Sequence, residues 1–161
     1  MMRVILDTNI YGLIARELDP SVIQGSLGGS KDLILYGIRD IIRNELRETP
    51  TNIRIVGKAS LRLLLLSLYD NITKGHQLSI TSNMGFIAER YIKVYRELGG
   101  SMGAEEVRKD FLIIACAAAN NLDIVVSDDN RTMLSDNAKK AYLLVNETLR
   151  LRTPKLLHYN D

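Results

Sequence analysis

The chain has 161 residues, 46% of them apolar and 25% charged, with 21 basic against 19 acidic side chains and a formal charge of +2. That length and apolar content support one domain, spanning 1–161, with a substantial core, and so slight a positive excess permits an anionic partner without demanding one. The single cysteine excludes an intramolecular disulfide, and no apolar run is long enough to cross a bilayer.

Met1-Met2-Arg3 leads straight into an apolar run, leaving no room for a signal peptide, so the expected location is the cytoplasm. Val4-Ile5-Leu6 reads as a buried strand that ends on Asp7-Thr8-Asn9. In an open parallel sheet, ligands bind beyond the carboxyl ends of the strands, where Asp7 would stand. The bland alternative is that Asp7, Thr8 or Asn9 merely caps the next helix, expected over Ile10–Leu18 and stopped by Asp19-Pro20. Gln24 to Lys31 is glycine- and serine-rich and reads as a loop.

Leu33 to Tyr36 predicts a second strand, and Ile38 to Glu48 a helix. Ile38, Ile41, Ile42 and Leu46 give that helix one apolar face, while Arg39, Arg43 and Arg47 form a stripe on another. Glu45 falls on the apolar side, where a carboxylate is costly unless it is solvated at an edge, or held by a donor or a metal ion.

Ile55 to Thr73 predicts a leucine-rich helix with Arg54, Lys58 and Arg62 along an ordinary solvated face. Its leucines at 61, 63, 64, 65, 66 and 68 exceed what a small sheet should cover, which predicts a dimer formed near them. Gln77–Thr81 reads as a short strand or link. Met84–Leu98 reads as a helix in which Tyr91 and Tyr95 serve packing rather than base stacking.

After a break at Gly99-Gly100, Ala104 to Asn121 predicts a strong helix, with Asp110 bordering its buried face and Cys116 as a small buried apolar residue. Ile124-Val125-Val126-Ser127-Asp128-Asp129 repeats the opening pattern of a buried strand ending in acids. Asn137 to Leu149 predicts the last helix, and Leu156-Leu157 an edge strand. Strands alternating with helices predict a mostly parallel central sheet covered on both sides, a three-layer α/β/α domain.

Two strand ends therefore carry acids, and two helices carry a carboxylate beside an apolar face: Asp7, Asp128 or Asp129, Glu45 and Asp110. The two histidines lie elsewhere in the sequence. All-oxygen donors suit Mg²⁺ or Mn²⁺ rather than zinc. Crowded carboxylates repel one another, and bound cations are the natural remedy. Such ions suit in-line displacement at a phosphate.

Leu6-Asp7-Thr8-Asn9, Asn44-Glu45-Leu46, Asp110 to Ala115 and Val125-Val126-Ser127-Asp128-Asp129 together resemble the PIN domain, a metal-dependent ribonuclease family that includes VapC-type toxins. The resemblance runs from Met2 to about Val145. It implies an endoribonuclease that holds Mg²⁺ or Mn²⁺ on Asp7, Glu45, Asp110 and a fourth acid. Ser127-x-Asp129 fits the family pattern for that acid, whereas counting from Asp110 slightly favours Asp128; Asp129 is the preferred fourth acid and Asp128 the second choice. Thr8, Asn9 and Ser127 would orient the ligands, and Arg39, Arg43 and Arg47 would contact the RNA backbone.

The family also implies a homodimer and an antitoxin protein as partner, although Ile53 to Gly100 is longer than in the small toxin members. Two other readings compete. One is a phosphatase with Asp7 as nucleophile, against which Asn9 stands where that signature has a second acid. The other is a non-catalytic RNA- or protein-binding module.

Overall fold

The computed structural model describes residues 1–17, 32–53 and 60–159, and the structural statements below concern these. Strand β1 (Met2–Leu6) runs up to Asp7, and helix α1 (Thr8–Glu17) begins directly behind it. Strand β2 (Leu33–Ile38) passes without a loop into helix α2, whose first turn, Arg39–Arg43, is π-helical and whose second, Asn44–Arg47, is α-helical. Helix α3 (Leu61–Thr73), strand β3 (Gln77–Leu78) and helices α4 (Ser82–Glu97) and α5 (Ala104–Ala119) follow. Strand β4 (Ile124–Ser127), helix α6 (Asp136–Leu149) and strand β5 (Lys155–His158) complete the order.

The strands form one sheet in the order β3-β2-β1-β4-β5, every neighbouring pair parallel. Helices α1, α2 and α3 pack with one another, α4, α5 and α6 form a second group, and the sheet lies between them in a three-layer α/β/α arrangement. The central strand β1 is buried at Val4, Ile5 and Leu6, as a strand covered on both faces must be. Its register with β4 pairs Leu6 with Val126, and the Asp7 N–H extends the ladder to the Val126 carbonyl at 2.9 Å. At the opposite end of these strands, Arg3 N–H donates to Asp123 at 2.8 Å, and Asp123 also pairs with Arg152 at 2.8 Å.

The second helical group packs around aromatic rings. Tyr91, Tyr95, Phe111 and Tyr142 are buried and meet edge to face at 5.1–6.5 Å between centroids, with the Tyr91 hydroxyl bonded to Asn146. This is the packing role expected of the two tyrosines on α4. Cys116 is buried in α5 as expected, and burial pushes its thiol up to about 12.

Two local readings differ from the sequence. The helix expected over Ile38–Glu48 does bury Ile41, Ile42 and Leu46, but it opens with a π turn in which the Asn44 N–H reaches back to the Arg39 carbonyl. Secondly, the leucines of α3 are mostly absorbed by their own domain. Leu61, Leu65 and Leu68 are in the core, Leu64 and Leu66 pack against it, and Leu63 stands out at 68% exposure. Exposed apolar side chains also lie on α4 and α6, at Phe86, Leu143 and Leu144. The expected stop at Asp19-Pro20, the loop 24–31, the first turn of the helix expected from Ile55, and the cations Arg54 and Lys58 lie outside the described residues.

Gly37 in β2 shows how closely α3 approaches the sheet, because a Cβ there would overlap the Tyr69 phenol. Tyr69 is fully buried and bonded to Gln77, so it has little room to yield. Gly37→Ala should therefore destabilise the fold by about 1–3 kcal/mol, the usual cost of overpacking. Chemical denaturation measures it, and a variant as stable as wild type would mean that Tyr69 repacks freely.

Candidate active site

Four carboxylates arrive at the carboxyl ends of the central strands from four different elements. Asp7 follows β1, Glu45 rides on α2, Asp110 on α5, and Asp129 sits two residues beyond β4. Asp7 is only 3% exposed, and both its oxygens are engaged. Oδ1 accepts from the Thr8 N–H at 2.8 Å, and Oδ2 accepts from the Ser127 hydroxyl at 2.8 Å. The β1–β4 register creates the second contact, since it brings Ser127 beside Asp7. An oxygen so enclosed is poorly placed to attack a phosphorus atom in line, which weakens the phosphatase reading.

Ser127 also organises the loop after β4. Its Oγ accepts the Asp129 N–H at 3.0 Å while donating to Asp7, and so ties the two acids to one hydroxyl. Asp129 Oδ1 in turn accepts the N–H groups of Arg131 at 2.9 Å and Thr132 at 3.0 Å, a side-chain-closed turn that holds the carboxylate inward. Asp128 points the other way. It is exposed and pairs with His158 of β5 at 2.9 Å. Of the two candidate fourth acids, Asp129 is therefore the one beside Asp110.

Thr132 is the residue that sequence reading missed. Its hydroxyl lies 2.6 Å from Asp110 Oδ2 and also contacts Asp129 Oδ2. One hydroxyl carries one proton, so it donates to Asp129 when a protonated Asp110 donates to it. The charges of the two acids agree. Burial pushes Asp110 up to about 7, against the Thr132 bond, and the nearby charges of Asp7 and Asp129 raise it further. Burial acts on Asp129 in the same sense, but the bonds from Thr132 and Arg131 outweigh it and leave Asp129 below the ordinary value. A signal existed in the sequence: a hydroxyl three residues after an acid closes such a turn.

Glu45 is half-buried and accepts from the Thr8 hydroxyl at 3.1 Å. Burial raises its pKa, the Thr8 bond and the Lys109 charge oppose this, and Asp7 adds to the rise. Asp7 is likewise raised, mainly by burial. Thr8 and Ser127 thus occupy orienting positions, whereas Asn9 is exposed and lines a neighbouring cleft of about 450 Å³ with Thr8, Arg16, Asp128 and the apolar walls Leu13, Ile53, Leu61 and Leu65. Among the described residues, no three Asp, Glu, His or Cys side chains are gathered tightly enough to hold a metal ion. The Thr132 hydroxyl stands between Asp110 and Asp129, while those of Thr8 and Ser127 bond Glu45 and Asp7.

The arginine stripe behaves unevenly. Arg43 is clamped to Asp70 by two bonds of 3.0 Å from Nε and Nη2. Arg39 and Arg47 are exposed, and Arg39 shares a cavity with Arg43. No helix of the described residues is long and apolar enough to cross a membrane.

No family model and no curated protein matches the chain. Solved structures do match. A chain of FitAB bound to an IR36 DNA fragment aligns over 96% of this chain and 94% of its own, at TM-score 0.58 and 16% identity. A chain of VapBC2 from Rickettsia felis, bound to a DNA fragment from its promoter, aligns over 98% of each chain at TM-score 0.55 and 17% identity. A chain of FitAcB from Neisseria gonorrhoeae aligns over 96% of each at TM-score 0.56 and 18% identity. The fold is that of a PIN domain.

The raised Asp110 carboxyl makes stability depend on pH. A group that moves from 3.8 to about 7 on folding binds more protons folded than unfolded between those values, so stability falls as pH rises through that window. Asp110→Asn has no proton to lose. In chelator at pH 8 it should unfold at a higher temperature than wild type, with a gain on the order of 1–3 kcal/mol. The gain should shrink toward pH 4. Thermal melts across pH measure this, and a gain independent of pH would contradict the charge crowding.

Proposed function

We propose that the protein is a metal-dependent endoribonuclease and the toxin half of a toxin–antitoxin pair. The observation that carries the reading is the convergence of Asp7, Glu45, Asp110 and Asp129 at the carboxyl ends of the central strands, with Asp7, Glu45 and Asp110 all held above their ordinary ionisation range. Lys109 supplies a counter-charge to Glu45, but the causes that raise Asp7 and Asp110 are burial and one another's neighbours. A hard divalent cation is the partner that such a donor set fits.

Asp7, Glu45, Asp110 and Asp129 are the residues that would hold Mg²⁺ or Mn²⁺. When bound, the ion supplies water activation and charge stabilisation at a phosphodiester. The residues themselves do the rest: Ser127 and Thr132 orient the acids through hydrogen bonds to Asp7 and Asp110. The similarity in fold to chains of FitAB, VapBC2 and FitAcB supports an antitoxin protein as partner. A homodimer belongs to the same reading, with Phe86, Leu143 and Leu144 as apolar surface available to it.

With Mg²⁺ or Mn²⁺ the protein should cut single-stranded RNA, and EDTA should stop it. Asp7→Asn keeps size and hydrogen-bonding reach but deletes the charge. It should slow cutting by more than the roughly 10–100-fold typical of losing a residue that merely orients a ligand. Mn²⁺ should also raise the melting temperature of wild type and not that of the variant. Cutting by Asp7→Asn at the wild-type rate would assign the activity to another site and end the nuclease reading.

A further inference from the structure

A second polar cavity opens on the far side of α2 from Glu45, just beyond the carboxyl end of β2 and beside the start of β3. It measures about 390 Å³ and is lined by Arg39, Arg43, Asp70, Thr73, Gly75 and Gln77. The floor is a closed set of hydrogen bonds. The Tyr69 hydroxyl donates to Gln77 Oε1, Gln77 Nε2 donates to the Thr73 hydroxyl at 2.6 Å, and that hydroxyl donates to the Tyr69 carbonyl at 2.9 Å. These polar groups are consumed by one another. The Asp70 carboxylate is consumed as well, by the two-bond clamp on Arg43.

The side-chain groups left to face the cavity are therefore donors. Arg43 is fixed through Nε and Nη2, which leaves Nη1 free of that clamp. Arg39 makes no hydrogen bond or ion pair to another described residue, and its charge reaches the Tyr69 phenol, which burial pushes up to about 12. Gly75, at φ +82°, brings bare backbone to the rim, where an added side chain would be strained. With two guanidinium groups against one carboxylate, the cleft is net positive, rich in donors and poor in acceptors. A phosphate has the complementary chemistry, since it offers acceptors only.

The π turn accounts for the location. The cleft takes its cations from the widened turn Arg39–Arg43, and the α-helical turn after it carries Glu45 on its other side. The cleft and the acid cluster are thus on one rim of the sheet, separated by one helix, about 10–12 Å across with its side chains. We propose that this cleft is a phosphate subsite for single-stranded RNA, engaging the backbone of a strand whose scissile phosphate lies at the acids. The proposal rests on the ribonuclease reading for what the strand does next, but binding tests it separately.

A fluorescently labelled single-stranded oligoribonucleotide, titrated in EDTA over a series of salt concentrations, is the probe. Arg39→Ala should bind roughly fivefold more weakly at low salt, and its log–log salt slope should be shallower by about 0.7, the loss of one single-strand phosphate contact. Arg39→Lys should keep the wild-type slope. Arg96→Ala, an exposed arginine on α4, controls for net charge and should also keep it. A wild-type slope in Arg39→Ala, an equal loss in Arg96→Ala, or no RNA binding by wild type overturns the subsite. Binding with the expected slopes but no cutting with Mg²⁺ or Mn²⁺ would end the nuclease reading and leave the subsite standing.

Discussion

The register of β1 against β4 is the constraint on which the candidate site depends. Leu6 faces Val126 across the ladder, and the next link joins the Asp7 N–H to the Val126 carbonyl. That pairing alone delivers Ser127 to the Asp7 carboxylate. Because side chains alternate along a strand, a slip of one residue would turn Ser127 away and send Val4, Leu6 and Val125 to the wrong faces. Helices cover both faces of the sheet, so the penalty for such a slip is large. Burial that stabilises the fold and geometry that assembles the acids are the same interaction.

Having brought the acids together, the fold keeps them tolerable with hydroxyls. Three Ser or Thr side chains, at 8, 127 and 132, each contact one or two of the carboxylates. Neutral donors soften repulsion but do not cancel charge, and Asp110 consequently rises to about 7. The asymmetry between Asp110 and Asp129 follows from local backbone. Asp129 sits in a turn whose N–H groups favour its ionised form, whereas Asp110 rides mid-helix on α5, where the backbone N–H groups are already spent.

Helix α2 divides the rim into two electrostatic territories. Its apolar residues Ile41, Ile42 and Leu46 anchor it, Glu45 joins the acids, and Arg39 and Arg43 turn toward α3 and β3. Of the leucines of α3, those at 61, 65 and 68 are core residues, those at 64 and 66 pack against the core, and Leu63 is exposed. Their density in the sequence reflects a helix pressed between α1, α2 and β2 rather than an uncovered surface.

Periodicity and punctuation in the chain alone determined the alternation of strands and helices, the parallel sheet and the positions of Asp7, Glu45 and Asp110 at strand ends and helix edges. These follow from local rules of burial, which any contiguous stretch expresses by itself. What only the tertiary structure decided was pairwise. Whether Asp128 or Asp129 turned inward depended on His158 of β5 and on the turn closed at Thr132, partners 30 and 3 residues away in sequence. The clamp on Arg43 by Asp70, the π turn in place of an expected α turn, and the linking of Asp110 to Asp129 through Thr132 had the same origin. Hydrogen bonds between side chains require positions within about 3 Å, and only packed elements supply them.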